Sequence, residues 1–234
     1  MRGGSTPFNQ RAGLRIVLAL AAMAGSLAAC KPAPSGTSSA SGAPASAASS
    51  EASSSAAASA APPAPPPPPP AGWVRYSQAG FSIAAPAGFT ANPAYDYTEL
   101  GPGKDIKGLS LTIPASLAAG TNLAAGSYIS VETLPGVAPC VAAPFVDPAI
   151  AAPPVTANGI TYSVATSSQG AAGSTYDETV YAVQGSSPCL AVRYFIHYAN
   201  IQNYPPGAVT AFNQAALIAQ FNAIRATLVV DQTP

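Results

Sequence analysis

Between Lys31 and Gly72 the chain is built almost entirely from three residue types, with 36 of 42 positions being Ala, Ser or Pro. The stretch has no large apolar side chain and only Lys31 and Glu51 as charges. It therefore has nothing to bury that would offset the entropy of ordering its backbone, and it is expected to be a disordered tether. Its end, Pro62-Pro63-Ala64 and then an unbroken run from Pro65 to Pro70, favours polyproline II, which advances about 3.1 Å per residue without internal hydrogen bonds. A semi-rigid spacer is the expected role. The other reading, a ligand for an aromatic-lined groove, lacks the flanking basic residue that usually sets specificity. Folding is thus confined to Trp73–Pro234, whose 162 residues hold all ten tyrosines, the one Trp and six of the seven Phe. One domain of that size can bury roughly 70% of its unfolded surface. It carries five basic and eight acidic side chains, a net of −3. That leaves no positive footprint for phosphate backbones, and nucleic acid is not an expected partner.

Residues 1–29 read as a targeting segment. Arg2, Arg11 and Arg15 are unaccompanied by any acid and precede an apolar stretch, Ile16–Ala29, the order of a signal peptide. Its 14 residues fall short of the roughly 20 needed to span a bilayer. Leu27-Ala28-Ala29-Cys30 resembles the lipobox of bacterial lipoproteins. That resemblance implies cleavage before Cys30, lipidation of its thiol, and a membrane partner through the acyl chains, which together hold lastingly where one chain would not. Lys31 stands where an Asp signals inner-membrane retention in that family, so the implied location is the outer membrane, facing the periplasm. The expected organisation is signal peptide 1–29, lipidated Cys and tether 30–72, and globular domain 73–234.

Within the domain, alternation with a period of two predicts strands at Trp73–Tyr76, Phe81–Ala84, Ile106–Ile113, Ser127–Leu134, Ile160–Ala165, Tyr176–Val183 and Leu190–Tyr198. Asn158-Gly159 is a hairpin dipeptide, and Gly185-Ser186-Ser187-Pro188 predicts a turn that makes Tyr176–Tyr198 a hairpin. In its second strand Leu190, Val192, Tyr194, Ile196 and Tyr198 share the face expected to be core, and Ala191, Arg193, Phe195 and His197 share the other. After Pro205-Pro206-Gly207 the spacing of Val209, Phe212, Ala216, Leu217, Phe221, Ile224 and Leu228 turns helical, predicting one amphipathic closing helix. Four prolines at 139, 144, 148 and 153 predict irregular structure there. The expected fold is α+β: an antiparallel sheet of about six or seven strands with a C-terminal amphipathic helix, after the tether.

The opening Tyr76-Ser77-Gln78-Ala79-Gly80-Phe81-Ser82-Ile83, the following Pro86-Ala87-Gly88-Phe89, and the ending Phe221-Asn222-Ala223-Ile224-Arg225-Ala226-Thr227-Leu228 resemble the PsbP-like and Mog-like α+β fold. Val192–His197 and Asn203-Tyr204-Pro205-Pro206-Gly207 also resemble a group of uncharacterised proteobacterial lipoproteins. These resemblances imply an antiparallel sheet flanked by helices, and binding or stabilisation of other proteins rather than a reaction.

Three places in the domain carry side chains able to do chemistry. Cys140 and Cys189 are the two thiols left beside Cys30, and in an exported domain such a pair is expected to bridge. His197 is the one histidine, and neither a Cys-x-x-Cys nor an Asp-x-Asp pair occurs, so no metal site is expected. In the predicted hairpin Asp177 and Glu178 pass near Arg193 and Phe195, with His197 further along. These four polar residues, Asp177, Glu178, Arg193 and His197, form a candidate binding surface whose sharper reading is general acid–base catalysis. Tyr95, Tyr97, Tyr194, Phe195, Tyr198 and Tyr204 are candidates for a sugar-stacking surface or for ordinary packing. Neither a phosphate loop nor a Gly-x-Ser-x-Gly elbow occurs, so catalytic residues are not named and no cofactor is expected. The expected function is a membrane-anchored, non-enzymatic binding or assembly module of the cell envelope with a protein or cell-wall partner. The alternative is a small envelope hydrolase built on the carboxylates and His197.

Overall fold

The structure is a computed structural model and describes residues 68–231. The expected signal peptide, Cys30 and nearly all of the expected tether lie outside those residues. Seven strands form one antiparallel sheet in the order β3 (Thr90–Tyr97), β4 (Ile106–Thr112), β5 (Tyr128–Leu134), β9 (Cys189–Ala199), β8 (Ser174–Val183), β7 (Ile160–Ala171) and β6 (Ile150–Ala157). A second sheet of three strands joins β1 (Trp73–Gln78), β2 (Phe81–Pro86) and the short β10 (Val229–Val230). Two helices complete the fold, a single turn α1 (Ala115–Ala118) and the closing helix α2 (Gln214–Arg225). The architecture is the expected antiparallel α+β arrangement, with every predicted strand present. Among the described residues no helix is long and apolar enough to cross a membrane.

Alternation fixes which side chains enter the main core. Phe81, Ile83 and Ala85 of β2 point with Leu217, Phe221 and Ile224 of α2 onto Leu109, Leu111, Ile129, Val131, Val192, Tyr194 and Ile196 of the large sheet. Leu217, Phe221 and Ile224 recur at the spacing of one helix face. The helix starts at Gln214 rather than near Val209, because the preceding backbone is committed elsewhere. Thr210 N–H bonds the Gly120 carbonyl, Asn122 N–H bonds the Thr210 carbonyl, and Phe212 N–H donates to Asn122 Oδ1. Asn213 then caps the helix by accepting from the Ala216 N–H at 2.9 Å, as a free first-turn donor requires.

Three strands are absent from the sequence reading: the two-residue β10 of the small sheet, and β3 and β6, which are the two edges of the large sheet. β3 contains Pro93 and β6 contains Pro153 and Pro154, each with a register shift beside the prolines. Proline cannot donate to a ladder, so it is tolerated on an edge strand or at a bulge, where it also blocks pairing with another chain. The same residues that made these segments read as loops therefore suit them to the borders of the sheet.

The second face of the large sheet is where expectation and structure differ most. Ala191 and Arg193, predicted to lie on the non-core face, are fully buried. Half of that face is covered by the chain from Val137 to Val146, which packs Cys140, Ala142, Phe145 and Val146 onto Tyr97, Ile106, Ala165, Val180, Ala182, Cys189 and Ala191. Of the irregular stretch only Ala143–Phe145 is helical, as a 3-10 turn. The Cys140–Cys189 disulfide, with Cα atoms 5.0 Å apart, ties this cover to the start of β9. The sheet thus has a core on each side at one end and an open face at the other.

Candidate functional site

Under the cover sits a buried ion cluster. Arg193 projects from β9 opposite Ser130 of β5 and Val180 of β8, one pleat from Glu132 and Glu178 on the same face. Its Nε and Nη2 donate to the two oxygens of Glu132 at 2.8 and 2.9 Å, a bidentate pair, and Nη1 donates to Glu178. Nη2 also donates to the Phe145 carbonyl at 2.5 Å, which locks the cover onto the cluster. The Tyr97 hydroxyl donates to the Glu178 carboxylate at 3.1 Å, the Tyr97 ring lies 3.5 Å from the guanidinium, and Ser130 donates to Glu132 at 2.7 Å. Burial alone would lower the arginine's pKa, but the two carboxylates hold it above its ordinary value. Arg193 and Glu132 are both 0% exposed and Glu178 5%, so the cluster presents nothing to solvent.

The four sequence-derived candidates separate accordingly. Glu178 and Arg193 pair inside the cluster. Asp177, one residue along β8, points to the opposite face, accepting from Ser168 Oγ at 2.6 Å and from Gln214 Nε2 at 3.3 Å. His197 remains on the Arg193 face but at its open end, half-buried and stacked on Tyr176. Asp177, Glu178 and His197 therefore do not converge in a cleft. Glu132, absent from the sequence-derived set, completes the cluster. In β5 it shares the face of Tyr128 and Ser130, opposite the core residues Ile129 and Val131, so the strand's alternation reads it as solvent-facing and only the β5–β9 pairing reveals its partner.

The open end of the same face carries a continuous aromatic strip. Tyr95, Tyr128, Phe195, Tyr176 and His197 follow one another across the sheet, with successive ring centroids 5.4, 4.8, 6.1 and 4.3 Å apart. Tyr95 reaches Tyr128 over β4 because the residues beneath are small. Gly108 stands beside Tyr95 in the ladder, with Ser110 two residues further along β4, and a Cβ on Gly108 would collide with the Val131 carbonyl. The Tyr95 and Tyr128 hydroxyls share a hydrogen bond of 2.6 Å. Burial raises the pKa of both phenols and lowers that of His197. Every ring is half-buried.

Of the six aromatics singled out in the sequence, only Tyr95 and Phe195 belong to this strip. Tyr97 lies beneath the cover, Tyr194 is in the main core, Tyr198 packs on Phe212, and Tyr204 follows a 3-10 turn after β9. The stacking geometry also decides what the strip offers. Offset-stacked and edge-to-face aromatic pairs hold their ring centroids about 4.5–7 Å apart. Tyr128 and Phe195 are 4.8 Å apart with planes at 13°, so they stack on each other and each covers one ring face of the other.

Elsewhere, a cleft of about 360 Å³ between Gly80, Thr133, Ser186 and Asp231 contains one ionisable side chain, Asp231. Among the described residues no group of three or more His, Cys, Asp or Glu side chains is placed to hold a metal ion. The chain matches no known protein family and no curated protein.

Proposed function

We propose that this chain is a lipid-anchored protein of the bacterial cell envelope, attached through Cys30 and acting by binding rather than by catalysis. The aromatic strip on the open half of the large sheet is its contact surface. The observation that carries this reading is the division of one sheet face into two parts. Glu178, one of the carboxylates a hydrolase would need, is consumed with Arg193 in a sealed ion cluster, while the adjoining solvent-facing part is a band of stacked rings that ends on His197. Aromatic side chains supply large contact area at low entropic cost and are enriched at interfaces. The resemblance to PsbP-like domains supports the same reading. The lipobox-like Leu27–Cys30 and the Arg-rich apolar segment before it support the anchor, and Lys31 supports an outer-membrane location facing the periplasm.

The hydrolase alternative requires Asp177, Glu178 and His197 to act on one substrate, and their positions on two faces and in a buried pair oppose it. The test has two parts. Intact-mass analysis of the membrane-extracted chain is expected to give a species starting at Cys30 with added acyl mass, which a Cys30→Ser variant lacks. Hydrolysis of cell-wall or ester substrates is expected to be absent. Turnover abolished by Asp177→Asn or His197→Gln would overturn the binding reading, and an unacylated chain that stays membrane-bound would overturn the anchor.

A further inference from the structure

The chain enters its first strand through a reversal. The Trp73 N–H donates to the Pro70 carbonyl at 3.1 Å, and Gly72 has a φ of +78°, the left-handed residue that a type II turn takes at its third position. Residues before Pro70 are therefore directed back along β1, toward the β1–β2 turn at Ala79-Gly80, and not away from the domain. Pro68–Pro70 follow that course. They line a groove of about 510 Å³ together with Arg75 of β1, Ile160 of β7 and the segment Ala226–Val230.

This groove lies over the outer face of the three-stranded sheet. In β2, Phe81, Ile83 and Ala85 enter the main core, so Ser82 and Ala84 point to the other side, yet these two are only 7% and 0% exposed. Arg75 stands opposite Ala84 in the ladder and lays its guanidinium on Ser82, with Nη1 donating to Oγ at 3.0 Å. The floor is thus low and covered, and Ala226–Val230 form one wall. That wall also leads to the β1–β2 turn, because Val229 and Val230 pair with Ser82 and Phe81 and the Asp231 N–H donates to the Gly80 carbonyl at 2.9 Å.

Length and stiffness identify the occupant of the rest of the groove. The unbroken run Pro65–Pro70 has six residues, about 19 Å of polyproline II at about 3.1 Å per residue. β1 also has six, about 20 Å at roughly 3.3 Å per residue. Pro68–Pro70 already lie beside the first half of the strand, and Pro65–Pro67 match the second half. Proline has a fixed φ and loses almost no side-chain freedom on burial, so laying the run down costs little entropy. We propose that Pro65–Pro67 continue along this groove in the same chain, so that the tether leaves the domain at the β1–β2 turn instead of at Trp73. The end of the tether is then part of the domain and sets the direction from which the domain is held. A second copy's run would first have to displace Pro68–Pro70, which the turn fastens in place. The inference is independent of acylation at Cys30 and of binding at the aromatic strip.

The experiment places a nitroxide-bearing amino acid at position 64, in place of Ala64, in the full isotopically labelled chain and follows the broadening of backbone resonances. The expected result is loss of the Ala79, Gly80 and Asp231 signals while that of Gly72 persists. Pro65→Gly with Pro66→Gly and Pro67→Gly, which leaves the sheet untouched, should restore the lost signals. A mixture of nitroxide-bearing chains without isotope and isotopically labelled chains without nitroxide should show no broadening at the turn, since the contact is within one molecule. Broadening centred on Gly72, broadening spread evenly over the domain, or broadening at Gly80 that survives the glycine changes would overturn the inference. So would broadening at Gly80 in the mixture, which would assign the groove to a second copy.

Discussion

Replacing Arg193 with methionine would leave two carboxylates buried without a cation. Arg193→Met removes the bidentate pair with Glu132, the bond to Glu178, the bond to the Phe145 carbonyl and the contact with the Tyr97 ring. Breaking one side of a buried pair costs about 3–5 kcal/mol, because the remaining charge stays desolvated. Against a domain stability of about 5–15 kcal/mol this is a large fraction. At about 2–4 °C per kcal/mol for a domain of this size, the midpoint of thermal unfolding should fall by roughly 6–20 °C. The control is a triple variant, Arg193→Met with Glu132→Gln and Glu178→Gln, which removes all the charges together and should recover at least half of the loss. Urea unfolding followed by Tyr and Trp fluorescence measures both, provided the slope is unchanged. A single variant costing under about 1 kcal/mol, or a triple variant no more stable than the single, would refute the claim that the pairing carries the energy.

Opening the disulfide by Cys140→Ser with Cys189→Ser should lower stability by about 4 kcal/mol in the chain-entropy model, given a separation of 49 residues; equal unfolding midpoints for the oxidised wild type and the variant would contradict this. Gly108→Ala should destabilise by about 1–3 kcal/mol, because the added methyl meets the Val131 carbonyl of the neighbouring strand β5; differential scanning calorimetry reads the shift. Asn213→Ala should cost about 1 kcal/mol through loss of the cap on α2, seen as a lower urea midpoint. His197 should titrate below the ordinary histidine value of about 6.5, and a proton-NMR titration of this lone histidine reads it directly. The folded state then binds fewer protons than the unfolded chain between the two values, so this group's contribution to stability falls as pH drops through that window.

Much of the fold was legible because alternation and turn chemistry agree along β7, β8 and β9, where Asn158-Gly159 and Gly185–Pro188 mark the reversals. β3 and β6 were not legible, since prolines that forbid a central strand leave an edge strand possible, and only the finished sheet shows which strands are edges. The candidate site was half legible. The alternation in β9 put Arg193, Phe195 and His197 on one face. That the cover from Val137 to Val146 would seal Arg193 and leave Phe195 and His197 open depends on the disulfide and on packing between residues far apart in sequence, such as the Phe145 carbonyl at Arg193, 48 residues away. Tyr128 and Tyr176 escaped notice for a related reason. Each stands on a strand flanking β9, and their approach to Phe195 follows from strand order, which a local pattern does not encode.

Tyr176 and Asp177 are adjacent in β8 and point to opposite faces of the large sheet, which allows a direct test of binding through the aromatic strip. A photo-crosslinking phenylalanine derivative placed at position 176 or at position 177, followed by irradiation of intact envelopes, samples the two faces at one location. The account predicts discrete crosslinked products from position 176 and none from position 177. Products from position 177 alone, or from neither, would contradict it.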